Sequence, residues 1–259
     1  MAAWRMAAGR LRSEDLPEIA TEALIRGLDS PALRLLAGQS RDDVRDSADL
    51  FRTAVGELGV DLPDTDTANW NLARRTASEI VEGRIEPSRG ANALWSAYER
   101  VLDNGDLRIF VGLASELDDH PEDIEQLSAQ IIAEAQALLS RPEPRRWIKL
   151  MAVRDRGPIT QTAGPDDFEV DLEELGISDG LRADVVRWGG QFIDVLGGWP
   201  DSGGFESVER AEAFVADGER LVSRLQHELG PTYHVEYMPE PIRPPGVKLR
   251  ARRNWWRTR

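Results

Sequence analysis

Cysteine is absent from the 259 residues, which excludes disulfides, thiolate-bound metals, iron–sulfur clusters and thiol nucleophiles. Histidine occurs three times, at His120, His227 and His234, so distantly that a three-histidine zinc site would need every one. No stretch reaches the roughly 18 consecutive apolar residues of a membrane span. The opening MAAWRMAAGRLRSEDL is split by Arg5 and Arg10 and lacks the unbroken apolar core of a signal peptide. The cytoplasm is the expected location. Lysine is scarce as well, two against thirty arginines, and with abundant Ala and Gly this reads as GC-rich coding rather than guanidinium chemistry. Gly-x-Gly-x-x-Gly, Gly-Lys-Ser/Thr and His-Glu-x-x-His are all missing. No cofactor, metal or catalytic residue is therefore assigned, and the balance is against an enzyme.

What the chain does have is negative charge, −14 in total. Residues 1–141 hold 15 basic and 26 acidic side chains, and residues 142–242 hold 10 and 20. The last 17 residues reverse the sign, with seven basic residues and no acid. An acidic body repels nucleic acid and anionic membrane and favours a partner with a basic surface.

Apolar spacing predicts helix after helix from residue 11 to 140. Ser13 opens one that Gly27 closes, Ser30–Pro31 starts a second, and Ser40 caps a third with Val44, Phe51 and Val55 inward. Further helices carry Trp70 to Ile80, then Leu94 to Leu102 with Asn104–Gly105 as stop. Leu107 to Leu117 reads as a central helix buried on most sides, and Ile124 to Leu138 follows. Arg141-Pro-Glu-Pro144 interrupts the pattern. Beyond it, Trp147 to Val153 reads as a strand and Gly157 to Asp171 as loop. Two long helices begin at Ser178 and near Ser207, and strands are predicted at Tyr233 to Tyr237 and Gly246 to Arg250. The expected fold is mostly α. An all-helical domain (1–141) precedes a small α+β domain (145–242) with two long helices and a short sheet, and then a basic tail (243–259).

Three acidic clusters invite a metal or a reaction, and each has a simpler explanation. Asp118 to Glu125, around His120, has the proline and first-turn acids of a helix start. Asp42, Asp46 and Asp49 interleave with Arg41, Arg45 and Arg52 as a solvated helix face would. Glu79, Glu82 and Glu86 lack the histidine of a carboxylate-bridged di-metal site. His234, Glu236 and Glu240 lie on or just after a strand, where a lone histidine is usually at the surface. Gly197 to Gly204 is a Gly/Pro/Ser connector flanked by Trp188 and Trp199, an arrangement that suits an aromatic-walled cleft. In the tail, Arg252 and Arg253 interleave with Trp255 and Trp256. Such a segment either folds back on the acidic body, the favoured expectation, or contacts nucleic acid or membrane. Trp199, Arg252, Arg253, Trp255 and Trp256 are the candidate interaction residues.

The phrases LPEIATEALIRGLDSPALRLLAG (16–38), GDLRIFVGLASELDDHPE (105–122) and HELGPTYHVEYMPEP (227–241) resemble stretches of actinobacterial proteins without an assigned activity. That resemblance implies a bacterial cytosolic origin and carries no site residue with it. The function expected is a non-enzymatic, acidic protein-interaction module of immunity or regulatory type. The alternative is a carboxylate-using enzyme or small-ligand binder with a cleft between the two domains.

Overall fold

Capping residues and apolar periodicity set most element boundaries in the computed structural model, which describes residues 1–40, 45–153, 156–163, 166–196 and 205–239. The chain is mostly α, with a small sheet confined to its C-terminal part. Contacts divide it into two compact units, Met1–Glu143 and Pro144–Arg259.

The first unit holds α1 (Ala2–Ala7), α2 (Leu16–Ile25), α3 (Pro31–Ala37), α4 (Ser47–Glu57), α5 (Thr65–Val81), α6 (Pro87–Tyr98), α7 (Arg108–Asp119) and α8 (Ile124–Leu139). Ser30 Oγ accepts the Leu33 N–H to start α3, and the Asp64 carboxylate accepts the Thr67 N–H to start α5. The buried Ser30 cap contributes about 1 kcal/mol. Leu16, Leu33, Leu36 and Phe51 form one core around α2 to α4. Trp70, Ile80, Leu94, Phe110, Ile131 and Leu138 form a second around α5 to α8. The Trp70 indole donates to the Pro142 carbonyl at 3.0 Å and ties down the end of the unit.

Several boundaries differ from the sequence expectation. The third helix, expected to be capped by Ser40, is described from Ser47 on, where the fully buried Ser47 hydroxyl donates to Gln39 Oε1 at 2.6 Å. Val44 lies outside the described residues. Asn104–Gly105 does not stop α6, which ends at Tyr98. Instead Asn104 folds back, and its amide donates to the Tyr98 carbonyl at 2.9 Å. The helix expected to be buried on most sides, α7, buries one face only, formed by Phe110, Leu113, Ala114 and Leu117.

The second unit contains β1 (Arg146–Leu150), β2 (Ile159–Ala163), β3 (Asp166–Glu169), α9 (Asp179–Leu196), α10 (Val208–Leu229) and β4 (Tyr233–Tyr237). Its sheet runs β3-β2-β1-β4, antiparallel except for the parallel β1–β4 pair. Residues 157–171, expected as loop, thus contain a hairpin. Gly164 and Pro165 masked the β-branched run that begins at Ile159. The strand predicted at Gly246 to Arg250 lies outside the described residues.

Ile148, Leu150, Ile159 and Val235 face the core, where they meet Leu181, Val185, Trp188 and Phe192 of α9 and Phe214, Leu221 and Leu225 of α10. Ser178 caps α9 as expected, and Ser207, near which the second helix was expected to begin, caps α10. Trp188 stacks on Phe214 with centroids 4.6 Å apart, and its indole N–H donates to the Phe214 carbonyl at 3.0 Å. Gly218 brings α10 against β4: a Cβ there would lie 2.5 Å from the Tyr237 ring. The Gln226 amide donates to the carbonyls of Gly230 and Tyr233 and accepts the Val235 N–H. It pairs with the outer edge of β4 as one residue of a further strand would.

Candidate functional site

Helix α9 presents two apolar stripes, offset by one residue. Leu181, Val185, Trp188 and Phe192 form the buried one. One position on, Arg182, Val186, Gly189–Gly190 and Ile193 repeat the same helical spacing along the outer face. Val186 is 56% exposed and Ile193 49%. This outer stripe forms one wall of an open groove of about 800 Å³, whose other wall is built by Val153, Gly157, Pro158 and the segment Glu169 to Glu173.

The groove is apolar at its base and charged at its rim. Glu169, Asp171 and Glu173 line it along with Arg156 and Arg182. Glu169 Oε1 accepts the Gly157 N–H at 2.9 Å, and a Cβ at this position would lie 2.7 Å from that oxygen and push the carboxylate aside. Asp171 Oδ1 accepts the Glu173 N–H, which fixes the turn after β3. Arg182 donates to the Leu172 carbonyl at 3.1 Å and pairs with Asp179 at 2.5 Å, so its charge is already met.

Glycine in a helix interior costs about 1 kcal/mol relative to alanine, and α9 carries two in succession. Gly189 has a local reason: a Cβ would meet the Pro158 ring at 3.3 Å. Gly190 has none, since among the described residues nothing lies within 4 Å of where its Cβ would be. The helix is held to α10 from its other side. Asp184 bridges Arg187 and Arg224 at 2.7 and 2.6 Å. The hydrogen bonds from Arg224 and then Arg187 hold its carboxyl below the ordinary aspartate range.

The far face of the sheet is a second polar surface. Trp147 and His234 stack with centroids 4.0 Å apart, Arg145 lies 5.7 Å over the Trp147 ring, and His234 Nε2 is 3.9 Å from Glu236 Oε1. His234 is thus half-buried against an indole rather than a plain surface residue. Glu240 lies outside the described residues.

Trp199, Arg252, Arg253, Trp255 and Trp256 all lie outside the described residues, as does Asp42. Trp188 is a core residue, stacked on Phe214, and the Gly197–Gly204 connector it was expected to flank lies outside the described residues. His120 Nδ1 sits 3.3 Å from Glu122 Oε1 on the surface, where Pro121–Asp123 forms a 3₁₀ turn into α8. Glu122 is held below the ordinary glutamate range, first by its own backbone N–H and then by His120. Among the described residues no group of three or more His, Asp or Glu side chains is placed to hold a metal ion, and no helix is long and apolar enough to cross a membrane. The outer stripe of α9 was not singled out from sequence. The available signal was a second apolar register, Val186 and Ile193 seven apart with paired glycines between them.

A family model described as Serratia CdiI immunity protein-like matches residues 146–240. The match begins at β1 and ends just past β4, so it spans the sheet and both long helices of the second unit. No curated protein matches the chain.

Proposed function

We propose that this chain is an immunity-type interaction module, which binds a toxin and blocks it by occupying its surface rather than by chemistry. The observation that carries the reading is the match to an immunity-protein family over residues 146–240, from β1 through β4. Charge supports it. With a net charge of −14 and a pI near 4.8, the chain suits a partner with a basic surface, such as a protein that engages nucleic acid. Complementary charge steers encounter and raises the association rate. Neutralisation of this kind needs no cofactor, only a surface that outcompetes the toxin's target.

The direct test is to sequence the genes flanking this one and to co-express the chain with any toxin domain they encode. The expected result is restored growth and a stoichiometric complex whose association rate falls steeply between low and physiological salt. Absence of both rescue and complex overturns the proposal. Turnover of a small molecule by the isolated chain, abolished by removing Glu169 or Asp171, would point instead to a carboxylate-using enzyme.

A further inference from the structure

We infer that the groove along the outer face of α9 is the surface that receives the partner, and that its occupant is an apolar segment flanked by basic side chains. The inference rests on the immunity reading and adds to it the place and chemistry of contact.

Two observations converge on this groove. Val186 and Ile193 are large apolar side chains left about half exposed on a helix whose core stripe is already complete. Exposed apolar area framed by polar residues is a common mark of a protein-binding face. Gly190 lies between them, with empty space above it among the described residues. A residue that weakens its own helix and fills no internal need leaves the backbone open to close approach from outside.

The rim then selects the occupant. Glu169, Asp171 and Glu173 face the opening, and the adjoining Glu174 is exposed. Glu173 and Glu174 are in no ion pair among the described residues. Against these carboxylates stands Arg156, because Arg182 is held by Asp179. An apolar floor beneath an acidic rim fits a segment that inserts aliphatic or aromatic side chains and places lysine or arginine at its edges.

The test uses the full chain and the toxin domain that the co-expression experiment identifies, with Kd measured by calorimetry. Val186→Lys and Ile193→Lys exchange exposed residues for a good helix former, and each should weaken binding about tenfold or more. Leu102→Lys, at a 63% exposed position in the first unit, should leave Kd unchanged. The double variant Glu173→Lys/Glu174→Lys should weaken binding and flatten its salt dependence. It keeps the inference falsifiable if the α9 variants misfold. On complex formation, residues 186–193 should gain protection from hydrogen exchange.

A wild-type complex that forms equally well with every variant overturns the groove while leaving the immunity reading intact. No wild-type complex at all overturns both. A chain that sediments as a dimer, dissociated by Val186→Lys, would assign the groove to a second copy of itself and overturn the inference.

Discussion

Two glycines in the long helices of the second unit should respond in opposite directions to the same substitution. Gly190→Ala and Gly218→Ala each replace a helix-interior glycine and gain about 1 kcal/mol of helix propensity. At Gly190 the new methyl meets nothing within 4 Å among the described residues, so the whole gain should appear as stability. At Gly218 the methyl would lie 2.5 to 2.7 Å from Cε2, Cζ and Oη of Tyr237. That ring is not free to swing, because it also lies edge-on to Trp188 at 6.1 Å. Overpacking of this kind costs about 1–3 kcal/mol, so Gly218→Ala should be neutral to destabilising by about 2 kcal/mol. The propensity gain is common to both variants, and the difference between them therefore measures the Tyr237 contact alone. At roughly 4 °C per kcal/mol for a unit of this size, the melting temperatures should differ by about 4–12 °C. Scanning calorimetry that follows the transition of the second unit reads this directly. Equal upward shifts in both variants would refute the tight α10–β4 contact.

Other substitutions probe the remaining links. Phe192→Ala empties a fully buried site and should cost about 3–5 kcal/mol by urea denaturation, whereas Val186→Ala, on the exposed stripe, should stay within about 0.5 kcal/mol. Gln226→Leu removes three hydrogen bonds to the turn and β4 and should cost about 2 kcal/mol. Glu228 accepts the backbone N–H and hydroxyl of Ser178, which lowers its pKa, so its contribution is present above the ordinary glutamate range and lost as pH falls through the folded value. Glu228→Gln should therefore lower stability at neutral pH and flatten the acid limb below about pH 4.5, so that variant and wild type converge in acid. Limited proteolysis should cut between Arg141 and Arg146 and release two folded pieces. A chain that resists cleavage there, or that yields an unfolded fragment, would refute independent folding of the two parts.

The helices were readable because their signals are local. Ser30, Ser178 and Ser207 announce helix starts through their own hydroxyls, and the 3-4 spacing of Leu181, Val185, Trp188 and Phe192 needs no knowledge of the partner surface. Errors arose where distant contacts decide. The end of α6 depends on the side chain of Asn104. The β2–β3 hairpin was hidden because Gly164–Pro165 and the acids after it outweigh four favourable strand residues in a short window. The groove was least legible of all. It exists only once the turn after β3 is laid beside α9, and a two-residue glycine pair reads equally well as an interrupted helix.

The Gln226 amide has a consequence for how the sheet ends. An edge strand with bare N–H and C=O groups is a template on which another chain can add a strand. Here the outer side of β4 at Tyr233 and Val235 is already occupied by one side chain, which mimics a neighbour but has no backbone to extend the ladder. A chain arriving at this rim would have to displace that amide before forming its first bond. The amide thereby blunts this edge of the sheet against the addition of a strand.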